Sequence, residues 1–324
     1  MKEYAIGIDL GGTKILTALV DRQGRIYERI LLSTPIEQGA EYIMDIMAES
    51  VEELQHRYCC SPGQIKGVGV ACPGPLDYVH GVVYGSPNLQ WDDVHICAGM
   101  QSRLDFPVYI DKDTNMAAQG ELSFGQAGDC KNFVYITVST GIGGSLVLNG
   151  EVFHGYFGGA GEIGHMVADP HGPLCRCGQR GCLEAMASGT AIARKAQALI
   201  VQGRGQGIAV CAKGKITARE VGMAARQGDI EAADILDDTL EVLASSLSSL
   251  IHLLHPQRII LGGGVALGLA DLWLPALQER VYQQVFPMHR RGLCIEMTGL
   301  GNDIGVLGAA AYVFEQLCSG GMYR

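Results

Sequence analysis

The chain has 324 residues, more than one hydrophobic core usually serves, so two domains or two lobes are expected. Its 48% hydrophobic and 18% charged residues are a globular composition and exclude a disordered chain. A formal net charge of −10 argues against nucleic acid as the main partner, because neutralising phosphates needs a basic surface; a local nest of backbone N–H groups can still bind a small anion.

The opening MKEYAIGIDLGG sets Glu3 and Asp9 around a short apolar run, which is no signal peptide. No uncharged apolar run reaches bilayer length, so the expectation is a cytoplasmic protein without a membrane partner. Three strands are predicted at 4–10, 15–21 and 25–32, joined by the tight turns GGTK and DRQG. Apolar residues at three- and four-residue spacing then predict a helix over 39–58. IKGVGVACPG and PVYIDKD read as short strands, and DTNMAAQGE opens a helix. The same grammar starts again near residue 132 with strand NFVYITVS, turn TGIGG, and strands SLVLNG and EVFHG. Two β-meanders, each followed by helices, predict two α/β lobes with a ligand cleft between them. The last third reads as helices at 188–202, 217–227 and 229–255, the last stopped by Pro256. A buried strand follows over RIILGGGVA (258–266), then helices over DLWLPALQERVYQQV and DIGVLGAAAYVFEQLC.

Forty-five glycines, about twice the usual share, punctuate these segments. DLGGTK (9–14) can expose successive N–H groups to a phosphate, with Thr13 and Lys14 as further donors, although an ordinary hairpin explains the turn equally well. Asp9 favours the phosphate reading, since a carboxylate ending a buried strand beside such a turn commonly holds hydrated Mg²⁺. STGIGGS (139–145) is the counterpart in the second repeat. It is no dinucleotide fingerprint, because Leu146 stands where glycine is needed, and the chain contains no P-loop sequence. LGGGVA (261–266) is a third turn, open either to passing under a flat ring or to simple close packing at a helix start. Asp111, Asp113 and Asn115 follow a strand; Asp113 can cap the helix or take a proton from a hydroxyl attacking phosphorus.

His165, Cys175, Cys177 and Cys182 make H-x9-C-x-C-x4-C within GHMVADPHGPLCRCGQRGCLE (164–184). Three thiols and one imidazole are a full tetrahedral set for Zn²⁺, with no position left for an activated water, so the metal would be structural. His171 is a stand-in ligand, better explained as an exposed loop residue. Eleven cysteines, an odd number, otherwise read as reduced thiols and not as a disulfide framework.

Together DLGGTK, PGPLD, SPNLQW, DTN, STGIGGS, GEIGH, CRCGQRGCLE and LGGG resemble the ROK family of sugar kinases and repressors, in order and approximate spacing over nearly the whole chain. The resemblance implies a duplicated two-lobe actin-like/hexokinase α/β fold. The small lobe would span 1–116 plus a C-terminal helix over about 303–324, and the large lobe 117–302, with the zinc loop 164–184 and the adenosine-side turn. It implies ATP-dependent phosphorylation of a sugar hydroxyl, C6 of glucose first, with N-acetylmannosamine, N-acetylglucosamine, fructose, mannose or allose as alternatives. Asp113 is then the catalytic base, and Gly74, Asn88, Lys112, Asp113, Glu162, His165 and Glu184 the sugar set. ATP and Mg²⁺ fall to Asp9, Gly11, Gly12, Thr13 and Lys14, to Thr140, Gly141 and Gly143, and to Gly262, Gly263 and Gly264. Structural Zn²⁺ falls to His165, Cys175, Cys177 and Cys182, so His165 serves both metal and sugar. The chain departs from the family at Lys112, where Asn is frequent, and at Ser139 and Ser145, where glycines are common. A homodimer or homotetramer is the assembly implied.

Two rival activities fit the sequence less well. A non-catalytic sugar sensor of the same fold is disfavoured, since the phosphate turn begins at residue 9 and leaves no room in front for a DNA-binding module. A zinc hydrolase is disfavoured by the full ligand set.

Overall fold

The computed structural model describes residues 2–58, 63–212 and 214–318; the stretch 319–324 of the expected C-terminal helix lies outside the described residues. β1 (Tyr4–Leu10), β2 (Lys14–Asp21) and β3 (Ile26–Ser33) form the predicted meander, with Leu10 facing Ile15 across the first turn. α1 (Gly39–Arg57) buries Ile43, Met44, Met47, Val51 and Leu54, the spacing that marked it in the sequence. β4 (Ile65–Cys72) pairs parallel to β1. A small pair, β5 (Leu76–Asp77) and β6 (Val82–Val83), and a short helix α2 (Ile96–Gln101) follow. β7 (Val108–Lys112) then runs straight into α3 (Asp113–Phe124).

The second series begins with β8 (Phe133–Val138) and β9 (Ile142–Leu148). The third strand expected over EVFHG is only β10 (Glu151–Val152). Gly155 and Gly158 take left-handed φ of 72° and 77° just beyond, which turns the chain out of an extended path. Helices α4 (Leu183–Ala187), α5 (Gly189–Val201), α6 (Gln206–Cys211), α7 (Ala218–Arg226) and α8 (Ile230–Leu254) come next. The chain closes with β11 (Arg258–Gly262), α9 (Gly264–Gly268), α10 (Ala270–Gln284), β12 (Cys294–Met297) and α11 (Ile304–Cys318).

Two compact units result. The first comprises Met1–Asp129, Gly150–Ala160 and Asn302–Arg324. Its sheet runs β3-β2-β1-β4-β7, antiparallel across the first three strands and parallel from β1 onward. α11 lies against β1, β4 and α3 with almost no gap: a Cβ on Gly7 would stand 2.0 Å from the Val306 carbonyl oxygen, and one on Gly69 2.1 Å from that of Ala309. The second unit comprises Cys130–Asn149 and Gly161–Gly301. In it β8 is antiparallel to β9 and parallel to β11, which is parallel to β12. The same order of pairings in both units shows the duplication that the sequence hinted at. The core of the second unit forms where α8, through Leu240, Leu243, Leu247 and Ile251, meets Trp273, Leu277 and Val281 of α10. Among the described residues no helix is long and apolar enough to cross a membrane.

Candidate functional site

In the first unit the strand β7 and the helix it feeds decide which carboxylate is buried and which is exposed. Asp111 is buried, and its Oδ1 accepts from the Lys112 N–H at 2.6 Å and from Asn115 Nδ2 at 2.9 Å. Its Oδ2 lies 2.7 Å from His154 Nε2. Asp113, two residues on, opens α3 with an exposed side chain, and its Oδ1 accepts from the Thr114 N–H at 2.7 Å. One aspartate therefore holds the scaffold while the other faces outward. Lys112 is buried, donates from Nζ to the Ala160 carbonyl at 2.8 Å, and passes its stem 3.5 Å from the Cβ position of Gly74.

The DLGGTK turn closes through Gly11 N–H to the Lys14 carbonyl at 2.9 Å. Thr34 takes the carbonyls on its other side: its N–H donates to Thr13 at 3.1 Å and its hydroxyl to Gly11 at 2.7 Å. With carbonyls so engaged, the turn has N–H groups to offer a ligand, as an anion cradle requires. A Cβ on Gly12 would lie 2.9 Å from the Asn88 carbonyl oxygen, so the turn and Asn88 are neighbours. Asn88 itself is exposed because Leu89 and Trp91 of the same loop are the residues that bury. Asp9 precedes the turn. Burial pushes its carboxyl up, with Lys14 acting the other way, and the Cβ position of Gly305 at the start of α11 is 2.7 Å from its Cγ.

The second glycine turn is shorter than the sequence implied. Ser139 donates its N–H to Gly141 at 2.9 Å, and Ile142 already begins β9. Gly143 therefore sits in the strand opposite Thr137, and Ser145 is buried farther along it opposite Tyr135. The carbonyls of Ser139 and Thr140 accept from Gly189 and Thr190 at the start of α5, at 2.8 and 3.2 Å, repeating the pattern of the first turn. Of the third turn, Gly262 is forced by the Tyr135 hydroxyl, 2.2 Å from its Cβ position, and Gly263 by φ of 88°. Gly264 has open space around it, so packing alone does not explain it. Glu162 is exposed at the cap of a short 3₁₀ turn, Ile163–His165, that carries the histidine. Glu184, on α4, accepts from Ile142 N–H at 3.0 Å.

His165, Cys175, Cys177 and Cys182 come together, one ligand atom from each lying within 4.8 Å of the others; His171 is not among them. The Cys175 Sγ to His165 Nδ1 distance is 3.7 Å and the Cys177 to Cys182 Sγ distance 3.6 Å. Zn–S bonds of about 2.3 Å in a tetrahedron set sulfurs ~3.8 Å apart, so the donor set fits zinc in kind and spacing. Two of the sulfurs, Cys175 and Cys182, are buried, and burial with neighbouring thiols pushes Cys182 up to about 12. A soft cation offsets the cost of collecting thiolates there. Leu183 N–H to Met166 at 2.8 Å and a bridge between Val167 and Cys182 tie the ends of the loop.

Thr34, His154, Gly189 and Thr190 bind these elements but were not singled out in the sequence. They lie far from their partners along the chain, and only the helix start predicted at residue 188 gave any signal for the last two.

The sequence profile described as the ROK family matches residues 5–316. A glucokinase of Thermotoga maritima is 34% identical over 96% of this chain and 98% of its own length. The crystal structure of a ROK family glucokinase from Streptomyces griseus, in complex with glucose and AMPPNP, superposes with a TM-score of 0.83 at 30% identity, over 96% of this chain and 99% of that one. A xylose repressor of Caldicellulosiruptor bescii is 29% identical over 97% of this chain and 79% of its own length. The duplicated α/β architecture is the actin-like/hexokinase fold that the motifs implied, and the chain belongs to the ROK family.

Proposed function

We propose that this protein is an ATP-dependent hexose kinase that transfers the γ-phosphoryl group of ATP to a sugar hydroxyl, C6 of glucose first. The observation that carries the reading is the contrast at the end of β7: Asp111 is buried and engaged on both oxygens, whereas Asp113 presents an exposed carboxylate. Asp113 takes the hydroxyl proton as the sugar oxygen bonds to the γ-phosphorus and the bond to the ADP oxygen breaks. The N–H groups around Gly11–Lys14 and Thr140–Gly141 bind phosphate, Gly143 holds the second turn to its strand, and Gly262–Gly264 serve the adenosine. Mg²⁺, held beside Asp9, would supply neutralisation of the charge on the phosphates. Asp9, whose carboxyl burial disfavours as an anion, is the group that gains most from a divalent cation nearby.

Asn88, Glu162, His165 and Glu184 hold sugar hydroxyls, while Lys112 and Gly74 shape the base's surroundings. His165, Cys175, Cys177 and Cys182 would hold zinc, which would fix the loop and, with all four positions filled by protein, supply no activated water. Nδ1 of His165 lies 3.7 Å from the Cys175 Sγ, and zinc bound on that side would leave Nε2 to hydrogen-bond a hydroxyl. The relatives named glucokinase favour glucose, and a homodimer or homotetramer is the assembly we expect.

An assay coupling ADP formation to a panel of hexoses and N-acetylhexosamines tests the reading. Asp113→Asn should lower kcat by roughly 10²–10⁴ while sugar affinity by calorimetry stays nearly unchanged. Full turnover in that variant removes Asp113 as the base. Sugar binding by the wild type with no turnover of ATP would favour the sensor role that the similarity to repressors allows.

A further inference from the structure

Ile142, the first residue of β9, is gripped from both ends of the metal loop. On the Cys182 side, α4 begins at the next residue and carries Glu184, whose Oε2 accepts the Ile142 N–H at 3.0 Å. The same oxygen stands 2.3 Å from the Cβ position of Gly141, so the carboxylate lies directly over the glycine turn. On the His165 side, the Cβ position of the preceding Gly164 is 2.0 Å from the Ile142 carbonyl oxygen. Gly161, just before, also stands close to the Gly144 carbonyl oxygen, with its Cβ position 2.7 Å away. The other flank of the turn is held by Gly189 and Thr190 at the start of α5, the helix that follows α4 across Ser188. The donors of the metal cluster and the N–H groups of the turn are thus joined through one backbone residue.

We propose that Glu184 is a positioning residue for the glycine turn at 139–142, and that the metal cluster acts on nucleotide binding through it. The inference rests on the kinase reading for the identity of the ligand, and on the contacts alone for the coupling. A residue that held only sugar would leave two quantities unmoved: the protection of the turn, and the affinity for nucleotide without sugar. Ile142 N–H freed from its acceptor can rotate away from the orientation in which the turn's amides converge, and a cradle built of backbone dipoles depends on that orientation.

The experiment compares the wild type, Glu184→Ala and Glu184→Gln, each with metal and after chelation. Amide exchange of peptides covering 138–148 and calorimetry with an Mg²⁺-bound non-hydrolysable ATP analogue, without sugar, are the readouts. Glu184→Ala should exchange about tenfold faster at the turn and bind the analogue about tenfold more weakly, and Glu184→Gln, which keeps an acceptor oxygen, should recover most of both. Chelation should reproduce the change in the wild type and add little in Glu184→Ala, because both act on one contact. Should chelation unfold the unit, Cys177→Ser removes only the exposed ligand and repeats that arm. Unchanged turn exchange in Glu184→Ala, or additive effects of metal loss and the substitution, overturns the proposal. Failure of the wild type to bind nucleotide would instead overturn the kinase reading, with the exchange data still deciding the coupling.

Discussion

Asp9 sets stability against function within one side chain. Burial raises its carboxyl above the ordinary aspartate range. The folded chain therefore holds the proton more tightly than the unfolded chain does. The resulting contribution to stability is fully present below the unfolded value and is lost as pH rises through the raised folded one. At neutral pH, where the unfolded carboxyl is ionised, burying this group is a cost to the fold, which the proposed Mg²⁺ role explains. Asp9→Asn should raise the Tm at pH 7 while leaving it nearly unchanged at pH 3, and should weaken Mg²⁺–ATP binding ~10-fold or more. Thermal scans at both pH values and calorimetry measure this, and a lower Tm at pH 7 would refute it. Gly264 offers a second separation of roles. Open space surrounds it at the start of α9, where a methyl group costs the fold nothing and helix propensity favours it by up to ~1 kcal/mol. Gly264→Ala should keep or raise Tm and yet raise KM for ATP several-fold; an unchanged KM would remove Gly264 from the adenosine side. At this scale the sequence placed a residue wherever its type sat on a recognisable punctuation mark, as Asp113 does between a strand and a helix. It was silent on the bond from Ile142 to Glu184, whose partners are 42 residues apart and share no pattern.

Helices with their own end signals were legible as elements. α8 starts where Asp229 accepts the Ala232 N–H at 2.7 Å and ends at the left-handed His255 before Pro256; α7 starts on the capping box of Thr217 and Glu220. α2, α4, α6 and α9 were missed because five or six residues are too few for a period to declare itself. α11 was legible as a helix, but its role was not. Its composition, IGVLGAAAYVFEQLC, shows small residues without showing what approaches them. A Cβ on Gly308 would stand 1.6 Å from the Met116 carbonyl oxygen on α3, a backbone atom that cannot move aside cheaply. Gly308→Ala should therefore cost about 3 kcal/mol, enough to shift the urea midpoint clearly. Gly159→Ala, in a loop with nothing within 4 Å, should stay within ~0.5 kcal/mol. Equal effects of the two would mean that α11 and α3 do not pack this closely.

For the molecule as a whole, the repeated meander suggested two parts and the family resemblance put the C-terminal helix with the first of them, but nothing in the sequence marked Gly150–Ala160 as part of that unit. The first unit takes Gly150–Ala160 and the C-terminal segment from Asn302 as well as the N-terminal stretch. Hydrophobic periodicity reports which face of an element is buried and says nothing about which partner buries it. β1 and β4 are separated from α11 by most of the chain, yet Val306, Ala309, Ala310 and Val313 are fully buried in this packing. The sheet of the first unit therefore lacks one covering layer until the segment from Asn302 is made, whereas the second unit's own residues end at Gly301. A chain stopped after residue 301 should keep native amide protection in β8, β9 and β11. Its β1 and β4 should lose protection by roughly 100-fold or more, and the exposed apolar face should bind ANS. Exchange measured by mass spectrometry on both chains decides the matter: native protection of β1 and β4 in the shortened chain would mean that the first unit is stable without its C-terminal helix.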